Sequence, residues 1–334
     1  MAALPPGKLP SELLAKLLAR HVQPVERLVV PPRVGEDAAV IELPDRYLVL
    51  ATDPITFVTE DLGYYVVTVN ANDVATLGAR PLFFSCVLLL PVGAEQKQVE
   101  QIFADVARAC EEQEVAWVGG HTEVTPTVSA PLVVGQMLGE VARDRLVRKE
   151  SLRPGDRLLL TKGLAVEAVS VIARLREDEV RLAHGEAFLE SARGFIRDPG
   201  ISVVREALAA SAVGGVHAMH DPTEGGLSGG LHELAAAAGL GITIRRQAVP
   251  ICAEARLLCQ QFDLDPLGVI ASGSLLIAVA PEQAAAVARA VEAVGTSCTD
   301  IGEITATPAC RFEDGDLLPT FEVDEITRLF AADR

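Results

Sequence analysis

The chain has 334 residues, enough for two ordinary domains, and is 49% hydrophobic but only 4% aromatic, so its core is built mainly from Ala, Val, Leu and Ile. Its 46 acidic against 29 basic residues leave a formal charge of −17, which excludes a basic nucleic-acid footprint but not phosphate binding through a divalent cation and backbone N–H groups. No apolar run has the length of a membrane span, the N-terminus shows no secretory signal and the six cysteines form no C-x-x-C, so a cytoplasmic protein with reduced thiols and no membrane partner is expected.

"SELLAKLLARHV" reads as an opening helix with Ser11 as N-cap and leucines at helical spacing. "AAVIEL" and "YLVLAT" read as strands joined by the turn "PDR". Tyr65 to Leu77 reads as a helix that ends at Gly78, and "LFFSCVLLL" as a buried strand. "EQKQVEQIFADVARACEEQ" is an amphipathic helix with Val99, Ile102, Phe103, Val106 and Cys110 on one face. "VAWVGG" and "APLVVGQMLGEVA" read as further strands. Pro154 and Gly155 make a turn, and a new strand starts at Arg157. Helices around 165–176, 201–211, 229–238 and 281–294 then mix with strands near 216–219 and 242–245, "SLLIAVA" and terminal strands, while the stretch up to 198 reads as polar and unassigned. The expectation is a mixed α+β chain of two domains, 1–152 and 153–334.

Five stretches interrupt the apolar pattern with acids, glycines or small polar residues: "GEDAAV" from Gly35, "ATDPITF" from Ala51, "VNANDVATLGARP" from Val69, "VGGHTEVT" from Val118 and "HDPTEGGLSGGLHE" from His220. Asp37, Asp53 and Asp221 stand at or near strand ends, and Asp73 lies in a predicted helix beside Asn72. Each Asp alone equally fits a cap or a turn. Together, hard oxygen ligands converging from different elements suit Mg²⁺, which is usually shared with substrate phosphates. Gly119–Gly120 and Gly225–Gly226 allow a backbone to approach a ligand closely, and the helix after Gly226 offers N–H groups to an anion. No Rossmann glycine pattern and no P-loop occurs. His217 and His220 precede Asp221 in "HAMHD", but on a strand they point to opposite faces, so they are expected as neighbours of Asp221 rather than as a zinc pair.

In their order, "GEDAAV", "TD", "NDVATLGARP", "GGHTE" and "DPTEGG" resemble the PurM-like (AIR synthase-related) superfamily over nearly the whole chain. The likeness is greatest to the hydrogenase maturation factors of HypE type, through "GKLP", "VGEDAAVI", "ANDVATLGARP", "HELAAAAGLGITI" and "SGSLLIAV". The resemblance implies a two-domain PurM-like α+β fold, with an N-terminal domain that contributes to a dimeric β-barrel and a C-terminal α/β domain. It implies a homodimer that binds ATP at the subunit and domain interface. Matched residue by residue, it assigns Mg²⁺ to Asp37, with Glu36 beside it, Asp53, Asp73 and Asp221. It places Asn72, Gly119, Gly120, His121 and Thr122 at the nucleotide and folds Lys8 over the phosphates. His121 stands where many members carry an acid, and Glu123 is the nearest replacement charge.

The activity implied is phosphoryl transfer from Mg-ATP to a carbonyl or amide oxygen, followed by dehydration or ring closure, on an unidentified small-molecule or protein-borne acceptor. The sequence ends "EITRLFAADR", without the Pro-Arg-Ile-Cys tail of the HypE type, and self-cyanation is therefore not expected. A nucleotide-binding maturation partner or scaffold is the alternative, and a small-molecule kinase resembling thiamine monophosphate kinase is the third reading.

Overall fold

Helix α2 (Leu62–Thr76) is apolar almost all round, and every one of its residues except Val69 is buried. It is the central element of a computed structural model that describes residues 4, 8–56, 58 and 60–331. Gly7 and Phe57, which belong to two of the motifs above, lie outside the described residues, as do residues 332–334.

The first sheet has the order β1-β2-β3-β7-β5-β6, and β4 also pairs with β7. Its strands are β1 (Leu28–Val30), β2 (Ala39–Glu42), β3 (Arg46–Ala51), β4 (Pro54–Ile55), β5 (Arg80–Leu90), β6 (Ala116–Val124) and β7 (Leu132–Ala142). All pairings are antiparallel except β5 with β6. Along β5 and β7 alternate side chains turn inward, including Phe84, Cys86 and Leu88 on one strand and Val133 and Met137 on the other. Two glycines let α2 come close: a Cβ on Gly135 would lie 2.4 Å from Asn70 Nδ2, and one on Gly63 would lie 2.3 Å from the Val106 nitrogen of α3 (Gln96–Glu112).

The second sheet has the order β13-β10-β12-β8-β11-β9, from β8 (Arg157–Thr161), β9 (Val216–His220), β10 (Gly241–Ile244), β11 (Leu276–Val279), β12 (Cys298–Thr305) and β13 (Cys310–Phe312). The first sheet's strands lie within residues 28–142 and the second's within 157–312, giving two domains. Helix α2 packs against α3 and β7 of its own domain and against β9 and α7 (Val204–Val213) of the second.

Two local expectations change. Ser11 is the first residue of α1 (Ser11–His21) rather than its cap; Pro10 takes the cap position, and its carbonyl accepts from Leu13 and Leu14 N–H. The polar stretch before 198 follows α4 (Val166–Leu175) as two short helices, α5 (Glu177–His184) and α6 (Glu186–Gly194). Few of their residues are apolar and buried; Arg181 bonds Asp178 and Glu186 at 2.8 and 2.7 Å, so ion pairs replace the hydrophobic stripe that a sequence reader looks for.

Candidate functional site

The loop before β2 supplies Asp37, the β3–β4 connection Asp53, α2 Asp73, and the residue after β9 Asp221. All four line one cavity of about 640 Å³ between the two domains. Asp53 is aimed by its backbone: its N–H donates to Asn70 Oδ1 at 2.9 Å, and its carbonyl accepts from Gly135 N–H at 2.9 Å and Asn70 Nδ2 at 3.3 Å. Asn70 is held in turn by the Val66 carbonyl, one helical turn back, at 2.8 Å.

The four acids are not equivalent. Asp37 has positive partners within the chain. Lys149, only 2% exposed, donates to its Oδ2 from 2.7 Å, and His220 Nδ1 lies 3.0 Å from the same oxygen. Burial opposes ionisation of Asp37, but Lys149 and His220 outweigh it and hold its carboxyl far below the usual range. His220 also meets Glu233 through Nε2 at 3.0 Å. Burial and Lys149 disfavour its cation, yet Asp37 and Glu233 raise its pKa to about 9. Its Nδ1 also lies 3.0 Å from Lys149 Nζ, so Asp37, Lys149 and His220 form one buried cluster around Asp37 Oδ2.

Asp73 and Asp221 have no such relief. Oδ2 of Asp73 and both carboxylate oxygens of Asp221 are buried without a hydrogen-bond partner. Burial first, and then the neighbouring acids, push Asp73 well above the carboxylate range and Asp221 up to about 7. Asp53 is raised by burial against the opposing contact with Asp73. Buried carboxylate oxygens without partners, gathered in one cavity, are a donor set that suits a hard divalent cation. One ligand atom from each of Asp37, His220 and Asp221 lies within 4.8 Å of the others, and Asp53 and Asp73 face the same space.

The remaining expected site residues separate into three groups. Lys8 lines the same cavity with its side chain 58% exposed, 3.9 Å from Glu233. Burial is outweighed by Glu233, Glu224, Asp37 and Asp53, which raise its pKa. Asn72 points away from the cavity into the second domain, donating to the Ile201 carbonyl and accepting from Val203 N–H, each at 2.8 Å. Gly119, Gly120, His121 and Thr122 line a separate cavity of about 420 Å³ with Trp117 and Phe103. There Gly120 is required by strand pairing, since a Cβ would meet the Cys86 carbonyl at 2.0 Å. His121 and Glu123 share a face of β6 and bond at 3.1 Å.

Gly225 and Gly226 do not line the acid cavity. The N-terminus of α8 (Gly226–Ala238), expected to receive an anion, is filled from within: Gly225 N–H donates to Asp324 Oδ2 at 2.8 Å and Ser228 N–H to the Leu267 carbonyl at 3.0 Å. Gly226 is needed because a Cβ there would lie 2.5 Å from that carbonyl. Glu36 is engaged by Arg33, whose Nε donates to its Oε1 from 3.0 Å.

Lys149, Asn70, Tyr65 and Glu167 also line or contact the site without standing out in the sequence. Lys149 lies 112 positions from the acid it neutralises and sits in no motif. Asn70 lies inside "VNANDVATLGARP", two residues before the more conspicuous Asn72–Asp73 pair.

Residues 35–141 match the model of the AIR synthase related protein N-terminal domain, and residues 153–315 that of its C-terminal domain. The carbamoyl dehydratase HypE of Rhizobium leguminosarum bv. viciae is 31% identical over 287 residues, 82% of this chain and 78% of that protein. Among solved structures, hydrogenase maturation protein HypE in complex with ATP superposes with a TM-score of 0.72 at 24% identity, over 96% of this chain and 97% of that one. AaThiL complexed with AMPPCP and TMP gives 0.74 at 21% identity, over 92% and 94%. At these identities the two structures speak for the fold, whereas the two matched domains and the HypE relative establish that the chain belongs to the AIR synthase related protein family.

Proposed function

We infer that the chain is an ATP-dependent enzyme of this family that transfers a phosphoryl group from Mg-ATP to a carbonyl or amide oxygen. The observation that carries this reading is the set of partnerless, buried oxygens of Asp73 and Asp221 in a cavity that Asp37 and Asp53 also line. A fold gains nothing from such groups unless a cation joins them. Mg²⁺ would be held by Asp37, Asp53, Asp73 and Asp221, and when bound it neutralises phosphate charge. Lys149 and His220 hold Asp37 ionised and oriented, and Lys8 stands at the exposed side of the cavity, able to reach an anion there. Asn70 fixes Asp53 through its backbone. The kinship with a carbamoyl dehydratase and the likeness to an ATP-bound HypE support the same reading.

The reading includes a homodimer. The outer edge of β6 pairs with no strand among the described residues, and Phe83, Val87, Val118 and Val124 expose apolar side chains on β5 and β6. A second copy is the partner that fits, and Gly119 to Thr122 then belong to the subunit interface.

Calorimetric titration with ATP, with and without Mg²⁺, tests the proposal. Magnesium-dependent binding is expected in the wild type and a loss of about 100-fold or more in Asp221→Asn, the scale of a lost ligand in a charged site. ATP binding that is indifferent to both magnesium and Asp221 would refute it.

A further inference from the structure

Two stretches of chain leave the same end of the second sheet side by side. β9 ends at His220, which pairs with Leu276 of β11, and residues 221–225 and 270–275 run on from that pair. Together they bring His220, Asp221, Thr223, Glu224, Ile270 and Ser272 to the acid cavity. Outside the sheet, Ala271 N–H donates to the Thr223 carbonyl at 3.3 Å. The far ends of both stretches meet one residue that does not line the cavity. Asp324 is 5% exposed; its Oδ2 accepts from Gly225 N–H at 2.8 Å, and its Oδ1 from Ile270 N–H at 3.2 Å and Ile326 N–H at 2.9 Å. Only a carboxylate side chain offers two accepting oxygens in one plane, and bonds to an ionised acceptor are about twice as strong as neutral ones. Capping α8 would need the Gly225 bond alone; the Ile270 bond reaches a stretch outside that helix.

The segment that carries Asp324 is anchored by other bonds as well. The Pro319 carbonyl accepts from the Ser228 hydroxyl, and His232 Nε2 lies 3.3 Å from it. Glu325 N–H donates to the Gly268 carbonyl at 3.0 Å, and Glu325 Oε2 accepts from Asp265 N–H at 3.2 Å. Arg328 donates to the Asp263 carbonyl at 2.6 Å, and Ile326 and Leu329 are buried. Removing the Asp324 carboxylate therefore frees the two stretches from each other and leaves the segment in place.

We propose that Asp324 is a positioning residue for the acid cavity: from outside, it staples the two wall stretches together and so sets where Asp221 and Glu224 stand. The inference rests on the reading of this cavity as the Mg-ATP site. The sheet fixes one end of each stretch and Asp324 the other, which leaves the acids between them little freedom to drift apart.

Amide hydrogen exchange on nucleotide-free protein, paired with calorimetric titration of Mg-AMPPNP, tests the staple in wild type, Asp324→Ala, Asp324→Asn and Val287→Ala. Val287 is fully buried in the helix Ala284–Ala293, so its truncation lowers stability without touching either stretch. In Asp324→Ala the Ala271 amide, which Asp324 does not touch, should exchange at least about tenfold faster, while amides within β9 and β11 keep their wild-type rates. Mg-AMPPNP should bind about tenfold or more weakly, the scale of a lost supporting contact. Asp324→Asn retains one accepting oxygen and should regain part of that affinity. Val287→Ala should melt lower and bind as wild type does. The proposal is overturned if Asp324→Ala binds within about twofold of wild type, if its Ala271 amide is as slow as in wild type, or if Val287→Ala loses as much affinity. Should Asp324→Ala not fold, Asp324→Asn is held to the same criteria. A wild type that takes up no Mg-AMPPNP sinks the phosphoryl-transfer reading, and the Ala271 amide then judges the staple by itself.

Discussion

Lys149 Nζ lies 2.7 Å from Asp37 Oδ2, and this buried pair ties the 3-10 turn Lys149–Ser151, which precedes the second sheet, to the loop that leads into β2. Breaking one partner of a buried pair typically costs about 3–5 kcal/mol. Because His220 remains on Asp37, Lys149→Met is expected at the low end, about 3 kcal/mol by urea denaturation. Adding Mg²⁺ should recover part of the loss, since saturating a native-state ligand at 100 times its Kd stabilises by about 2.7 kcal/mol. Unchanged stability in the variant would show that His220 alone suffices for Asp37.

The opposite sign is expected for Asp73→Asn. Burial and three neighbouring acids already oppose ionisation of Asp73, so a permanently neutral amide suits the metal-free fold better than a carboxyl that ionises on unfolding. A gain of about 1 kcal/mol corresponds to roughly 2–4 °C for domains of 150–250 residues. The same variant should lose the thermal shift that Mg-ATP produces in the wild type. This is the usual opposition of stability and function at a charged site. A melting temperature that falls on substitution, with the Mg-ATP shift intact, would assign Asp73 a purely structural role.

What the sequence discloses and what it conceals follow from how far each interaction reaches along the chain. Asp37, Asp53, Asp73 and Asp221 stand out because an acid beside an apolar run is conspicuous locally, and the fold brings all four to one cavity. Helices α2 and α3 and the strands β5 and β7 are legible from apolar runs and periodicity. Lys149 is not legible, because its partner is on another loop and a lone lysine ordinarily reads as solvated. Glycines admit two readings for a related reason. "GG" at 119–120 and 225–226 invites a ligand, yet Gly120 and Gly226 are explained by the carbonyls of Cys86 and Leu267 pressing against them. Glu167 sits in an apolar helical run, where only the fold shows that its carboxyl is buried with Oε2 unpaired.

Asn72 provides a test of position against role. Its side chain bonds the Ile201 carbonyl and Val203 N–H, both at 2.8 Å, and so joins α2 to the second domain. Asn72→Leu leaves two buried backbone groups unpaired, at about 1–3 kcal/mol each. A destabilised variant that still binds Mg-ATP within a few-fold of wild type is the expected result. Lost nucleotide binding at unchanged stability would return Asn72 to the nucleotide.

The exposed edge makes its own prediction. Val118 on β6 is 59% exposed, so Val118→Glu should leave the fold of one chain intact. If β6 joins two copies, light scattering coupled to size exclusion should show the wild type at twice the chain mass and the variant at the mass of one chain. A charge on a pairing edge is how natural sheets prevent such association. A monomeric wild type would rule out the homodimer.

Glu167 gives the pH dependence. Burial, with smaller contributions from Asp324 and Glu224, pushes its carboxyl from 4.5 up to about 7 against the contact with Ser272. A raised folded-state pKa favours the protonated form, so its stabilisation is complete below about pH 4.5 and is lost as pH rises through about 7. At 1.36 kcal/mol per pKa unit the swing is at most about 3 kcal/mol. Glu167→Gln removes this titration. Its stability relative to wild type should therefore grow between pH 5 and pH 8, by up to about 3 kcal/mol in paired urea denaturations. Asp324, itself pushed up to about 6 by burial, titrates in both proteins, so the difference between them isolates Glu167. A difference that stays flat across that interval would mean that Glu167 ionises in the fold as it does in water, and that its partnerless oxygen is already satisfied by solvent.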